Sequence, residues 1–214
     1  MTESTDEAAG LAAARSRAYQ LFQRALAYPD AELCSWIASG GLADSLRECL
    51  ATIEPKFAEQ GERWVALRDA GEADELAIEY TRLFDTGSSG PPCPLYGGLY
   101  GGARMKTMEE AVRFYNHFGL TLSEEQRELP DHLAMELEFL HYLAYREAET
   151  LQAGDDAGPY QRAQHDFIQR HPGSWIPKLC HRLKTEQAHP YFGALFSCLE
   201  DLLSWDATRL TRLS

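Results

Sequence analysis

Residues 130–151 read PDHLAMELEFLHYLAYREAETL. Leu133, Leu137, Leu140 and Ala144 recur at helical spacing, so they share one face of an α-helix, and that face is the buried one. Pro130 can open this helix, because a first helical position has no N–H bond to lose. The same period runs outward in both directions. Ala18, Leu21, Phe22, Ala25 and Leu26 form an apolar stripe that ends near Tyr28 and Pro29. Asp30 suits the N-cap of a second helix carrying Leu33, Trp36 and Ile37, which Gly40 and Gly41 stop. A third helix is expected over Leu42–Ile53. A fourth opens at Pro55 and carries Phe57, Trp64, Val65 and Leu67, and a fifth spans Glu72–Phe84. Past the middle of the chain the spacing predicts helices over Lys106–Phe118, capped by Gly119, and over Tyr160–Arg170. Ser123 and Gln126 have capping-box spacing. A turn is expected at His171–Gly173, with Ser174 capping a helix that holds Trp175, Ile176 and Leu179. Pro190 opens the last helix, with Phe192, Leu195, Phe196, Leu199, Leu202 and Leu203. β-Branched runs and strict alternation are almost absent. The reading is an all-α chain, one compact multi-helix domain over residues 1–214, with residues 1–12 as a flexible terminus.

The 214 residues carry 44% hydrophobic and 25% charged side chains, enough apolar surface for a buried core. The net charge of −13 repels phosphate backbones and anionic membranes and attracts basic faces, which sets nucleic acid and lipid aside as partners. No run approaches the about 18 apolar residues of a membrane span. The polar, acidic start does not look like a secretory signal, so a cytoplasmic location is expected. Five cysteines without CxxC spacing argue against a disulfide framework or a zinc knuckle. Cys34, Cys49, Cys180 and Cys198 fall in helical patterns as small core residues, whereas Cys93, between prolines, is expected to be more exposed.

The helical pattern breaks over residues 85–102, DTGSSGPPCPLYGGLYGG. So long a glycine- and proline-rich segment inside a helical chain points to function. Its Leu95, Tyr96, Leu99 and Tyr100 imply that it packs on the body. No strand precedes its glycine pairs and no Lys-Ser or Lys-Thr follows them, so they are not a phosphate-binding loop. Glu138 with His141, and Glu186 with His189, have the E-x-x-H spacing used by helical two-metal sites. Glu138 and His141 could serve a metal-binding helical-bundle enzyme, the alternative reading. Glu186 and His189 lie against Pro190 in a polar segment that resembles a helix end. Asp131 reads either as a first-turn acid favouring the helix dipole, with His132 a bystander, or with His132 as a polar point beside a groove. Tyrosines flank the broken segment, and an aromatic with one polar edge suits peptide capture.

Three segments in order resemble the TorD/DmsD/NarJ group of redox-enzyme maturation chaperones. The first is Glu79-Tyr-Thr-Arg-Leu-Phe84 with Pro91, Pro92, Pro94 and Tyr96. The second is Phe114-Tyr115, Gly119-Leu120 and Leu129-Pro-Asp-His132 leading to Glu136 and Glu138-Phe-Leu140. The third is Phe167-Ile168, His171 and Trp175. Some relatives have Tyr closely followed by Ser after the prolines, where this chain has Tyr96-Gly97-Gly98. The overall pattern is closest in feel to the branch serving dimethyl sulfoxide reductase type II enzymes. The resemblance implies an all-helical cytoplasmic protein that is not an enzyme. It would bind the immature catalytic subunit of a molybdenum enzyme, often at its twin-arginine leader, assist molybdopterin insertion and delay export. It would hold no cofactor tightly, with at most a transient contact to the molybdopterin guanine dinucleotide of its client. Carried over by motif, the client-binding residues are Tyr80, Leu83, Phe84, Pro94, Tyr96, Asp131, His132 and Glu138, with Asp131 supplying charge for an arginine. Leu129–His132 matches a hinge of the family, so a monomer with a minor dimer is expected.

Overall fold

A computed structural model describes residues 5–212 apart from 70, 72, 89, 102 and 122–127. The helices are α1 (Thr5–Ala25), α2 (Ala31–Ala38), α3 (Gly41–Ile53), α4 (Gly61–Arg68), α5 (Ala73–Tyr80), α6 (Arg104–His117), α7 (Leu133–Gln152), α8 (Gly158–Arg170), α9 (Pro172–Thr185) and α10 (Pro190–Thr211). Among the described residues there is no strand, only the isolated bridges Ser88–Gly90 and Tyr96–His132. The all-α fold is as expected. None of the helices is long and apolar enough to cross a membrane.

Several expected boundaries move, each for a local reason. Helix α1 begins at Thr5, so residues 5–12, expected to be flexible, are helical, with Ala9 and Ala12 buried. The helix expected from Pro55 is two pieces: a 3₁₀ turn at Pro55–Glu59, then α4, on which Val65 points to solvent. The fifth helix changes at Thr81 into a π turn, Thr81–Asp85, closed by Thr86 N–H donating to Thr81 O at 3.0 Å. Helix α7 starts three residues after Pro130, because His132 is its N-cap: its Nδ1 accepts from Ala134 N–H at 3.2 Å. Asp131 is therefore not a first-turn acid. Helix α9 starts at Pro172, so the expected turn shrinks to His171 alone, and Ser174 lies inside the helix, donating to His171 O at 2.8 Å. The expected Asp30 cap is present, accepting from Leu33 N–H at 2.8 Å. Gly40, at φ +77°, ends the second helix. The Ser123–Gln126 capping box lies outside the described residues.

Helix α1 packs along α7 and α3, and α10 packs against α9, α4 and α8. The buried apolar side chains form one cluster from Ala18 to Leu210. Through its centre passes a polar knot. Arg15, fully buried on α1, reaches Glu147 Oε2 of α7 at 2.7 Å, and its Nε and Nη2 lie 2.8 and 2.9 Å from the two oxygens of Asp206 on α10. Its Nη2 also donates to Gln164 of α8. Gln164 and Gln161 donate to Glu147 at 2.9 and 3.0 Å, and the Tyr19 hydroxyl donates to Asp206 at 2.6 Å. Burial alone would push the Glu147 carboxyl up, but the Arg15 charge and the two glutamine donors bring it below its ordinary value. Arg15 is thus a shared counter-ion for two helices on either side of α1.

Removing one partner of such a knot leaves buried charge unanswered. Arg15→Met is expected to lower unfolding stability by about 3–5 kcal/mol at neutral pH, read from the urea midpoint at unchanged slope. Because Glu147 titrates lower in the fold than unfolded, its contribution is complete above about pH 4.3, the ordinary carboxylate value, and is lost as pH falls through its lowered value. A loss under about 1 kcal/mol at neutral pH would mean that the knot does not hold the helices.

Candidate functional site

The π turn sets the site. The extra residue in the turn buries Leu83 and Phe84 and leaves Asp85 exposed. Phe84 meets Tyr80 and Phe192 edge-on, with ring centroids 5.0 and 5.2 Å apart, and Tyr28 meets Tyr80 at 5.5 Å. Tyr80 is anchored by its hydroxyl to Leu26 O at 3.3 Å. Tyr28, Tyr80 and Phe84 form the floor of a groove of about 810 Å³. Its walls are the C-terminal half of α1 with Gln23 and Arg24, then Trp36 of α2, Asp85, the Leu95-Tyr96 segment, and Glu128 with His132.

The glycine-rich segment is ordered by its neighbours. Leu133 N–H donates to Leu95 O at 2.8 Å and Gly97 N–H to Asp131 O at 2.9 Å, so residues 95–97 run antiparallel beside 131–133. Cys93 N–H donates to Leu83 O at 2.9 Å. Cys93 is fully buried, contrary to expectation, and burial pushes its thiol up to about 11, which makes it an inert packing residue. Farther along, Tyr100 stacks on Trp175 of α9 at 5.1 Å, and the Arg182 guanidinium lies over the Tyr100 ring, 4.4 Å from its centroid.

Under this segment sits a second buried polar group. Asp131 is 0% exposed, and its Oδ2 accepts from Gly98 N–H at 3.0 Å. Glu136, equally buried, accepts from Trp175 Nε1 at 3.0 Å and lies 3.7 Å from His171 Nδ1. Burial outweighs the Trp175 bond and holds the Glu136 carboxyl well above its ordinary value, and nearby Asp131 adds to that. Burial likewise lowers His171 to about 4. Burial thus disfavours the charged form of both groups. A Cβ on Gly97 would come within 2.7 Å of Trp175 Nε1, and one on Gly98 within 2.9 Å of Asp131 Oδ2 and 3.0 Å of the Arg104 backbone. The glycine pair is a close-approach device, and Gly97-Gly98 marks where the loop crosses the α7 start.

The sequence-derived site residues separate into three groups. Tyr80, Phe84, Tyr96 and His132 line the groove together. Leu83, Pro94 and Asp131 are buried behind it and support its wall. The expectation that Asp131 presents charge to a ligand fails, because the Gly98 amide and the folded loop cover it. Glu138 lies on another face, in a pocket of about 280 Å³ with Tyr142 and Tyr145, and touches the groove only through Gln23, which donates to it at 3.4 Å. Tyr28, Trp36, Asp85 and Glu128 were not singled out in the sequence, yet they complete the groove. Tyr96 donates to Glu128 Oε2 at 2.8 Å and meets His132 at 4.8 Å between ring centroids, while His132 Nε2 lies 3.7 Å from the same oxygen. Burial outweighs the Glu128, Asp131 and Asp85 carboxylates and lowers His132, which is neutral at pH 7.

The metal alternative has no geometric support. His141 Nδ1 lies 2.8 Å from Ser16 Oγ on α1, Glu186 approaches Arg82, and His189 caps α10 by accepting from Tyr191 N–H at 3.2 Å. Among the described residues, no group of three or more His, Cys, Asp and Glu could hold a metal ion.

The family model for the nitrate reductase delta subunit matches residues 40–181, which span the groove from Tyr80 to His132. The chain belongs to this family. A member named as a perchlorate reductase assembly chaperone, from Dechloromonas aromatica, is 31% identical over 191 residues, 87% of this chain and 85% of that one. A selenate reductase assembly chaperone from Thauera selenatis is 37% identical over 139 residues, 61% of this chain and 72% of that one. Both are named as assembly chaperones and not as enzymes, in line with the TorD/NarJ-like resemblance. A crystal structure of an Archaeoglobus fulgidus protein assigned to redox enzyme maturation shares the fold, with TM-score 0.52 and 20% identity over 88% of this chain and 93% of that one.

In this member of the family, Asp131 and Gly98 are one structural unit. Gly98→Ala and Asp131→Asn are each expected to lower unfolding stability by about 1–3 kcal/mol. Differential scanning calorimetry checks this. Unchanged melting for both would mean that the loop is not pinned at Asp131.

Proposed function

We propose that this chain is an assembly chaperone for a molybdenum-containing oxidoreductase. It binds the immature catalytic subunit in the cytoplasm, taking its twin-arginine leader in the groove between α1, α2 and the π turn. It holds the subunit while the molybdopterin cofactor is inserted and so delays export. The observation that carries this reading is the groove itself, with aromatic rings on the floor and carboxylates on the rim. Relatives named for perchlorate and selenate reductases support the class of client. A leader of this kind is basic at one end and apolar beyond, and the groove offers both matching surfaces. Tyr28, 53% exposed, and Trp36 are the rings free to meet a ligand, whereas Tyr80 and Phe84 are already packed. Contact with the client's molybdopterin guanine dinucleotide is transient in this reading, and the protein is a monomer with a minor dimer.

Calorimetric titration with a synthetic peptide in which two adjacent arginines precede Phe-Leu tests the reading. The wild type is expected to bind, and Trp36→Ala to weaken binding by about 2 kcal/mol, the size of an interface hot spot. Failure of the wild type to bind any such peptide, together with co-purification of a catalytic subunit lacking its leader, would contradict the groove's role.

A further inference from the structure

Resting on that reading, we infer that Asp85 and Glu128 are the residues that receive the leader's arginines. The carboxylate that the family motif singles out, Asp131, has no route to a ligand: it is fully buried, and its Oδ2 is held by the Gly98 amide. The groove's own carboxylates are Asp85, at the end of the π turn, and Glu128, just before α7. They come from separate elements and face the same space. Glu128 meets both Tyr96 and His132 with Oε2, which leaves Oε1 for an incoming donor. Asp85 makes no ion pair among the described residues, and burial together with the Glu128 charge raises its carboxyl. The two acids therefore repel each other across a partly desolvated groove, and a guanidinium between them relieves that repulsion. Arg24, the cation lining the groove, is engaged with Glu32 at 3.3 Å.

The rings add a second recognition feature. A guanidinium is planar and weakly hydrated, and it stacks on an aromatic face while its edge donates to carboxylates. Tyr28 stands exposed beside Tyr80 at the floor, and Tyr96 already accepts the guanidinium of Arg104 at 5.6 Å from its ring. The groove thus favours arginine over lysine, whose compact ammonium neither stacks flat on a ring nor pairs with a carboxylate through two parallel hydrogen bonds.

The test uses the full chain and the same arginine-arginine peptide, with Asp85→Asn, Glu128→Gln and the double charge reversal D85K/E128K. Both sites are at least partly exposed, so the fold is expected to persist, and circular dichroism checks it. Each neutral variant is expected to bind about tenfold more weakly than wild type, as for loss of one charge-assisted hydrogen bond. Lysine in place of both arginines is expected to weaken binding to wild type by a similar factor. The reversal variant should prefer a peptide with glutamates in place of the arginines, an outcome that a misfolded protein could not give. Wild-type binding with equal affinity for both neutral variants overturns this inference and leaves the groove's role standing. Absence of wild-type binding overturns the groove's role and this inference with it.

Discussion

The burial of one guanidinium between Glu147 and Asp206 fixes the arrangement on which everything else rests. Arg15 is close to the middle of α1, and its partners lie on α7, α8 and α10. A lone buried cation would be too costly to desolvate, and so would two buried acids. Only when the helices close on one another is each charge answered. Farther along the same helices, α1 presents Gln23 and Arg24 to the groove and α7 begins at His132 on its far wall. The knot therefore sets the distance between two groove walls without itself touching a ligand.

A second constraint acts at the start of α7. The chain must leave the loop, cross under residues 95–98 and turn into a helix within a few residues. Backbone pairing with Leu95 and Gly97, the His132 cap and the Asp131–Gly98 bond each satisfy groups that the crossing would otherwise orphan. The buried acid Glu136 is bonded to Trp175, and burial shifts its carboxyl towards the neutral form, which eases its place beside Asp131. A motif that looks like a binding signature is, in part, the means of holding a loop in place. Its groove-lining members are the aromatic ones and the cap.

Most of the helices were legible because their apolar stripes face a shared core at a period that strands cannot imitate. What escaped had local causes. The π turn at Thr81–Asp85 keeps helical spacing for several residues, so Leu83 and Phe84 look like an ordinary stripe, and the outward swing of Asp85 leaves no trace in composition. Val65 looked like core because it adjoins Trp64, yet α4 is a separate short helix after a 3₁₀ turn, and its phase is its own. Arg15 and Asp206 were not singled out in the sequence. They were in fact visible by register: Ala12, Arg15, Tyr19 and Phe22 share one face, as do Leu199, Leu202, Asp206 and Leu210. A charge in phase with an apolar stripe is a signal of a buried pair. Of the site, the aromatic half was legible through the family motif. Tyr28, Trp36, Asp85 and Glu128 were not, because they come from four separate segments whose meeting is a matter of tertiary packing.

The most direct measurement is hydrogen–deuterium exchange of the chain with and without a twin-arginine leader peptide. The account predicts slowed exchange in residues 24–36, 80–86 and 95–97 and at 128–134, the segments that wall the groove. Protection confined instead to α6 and α8, with these segments unchanged, would contradict it.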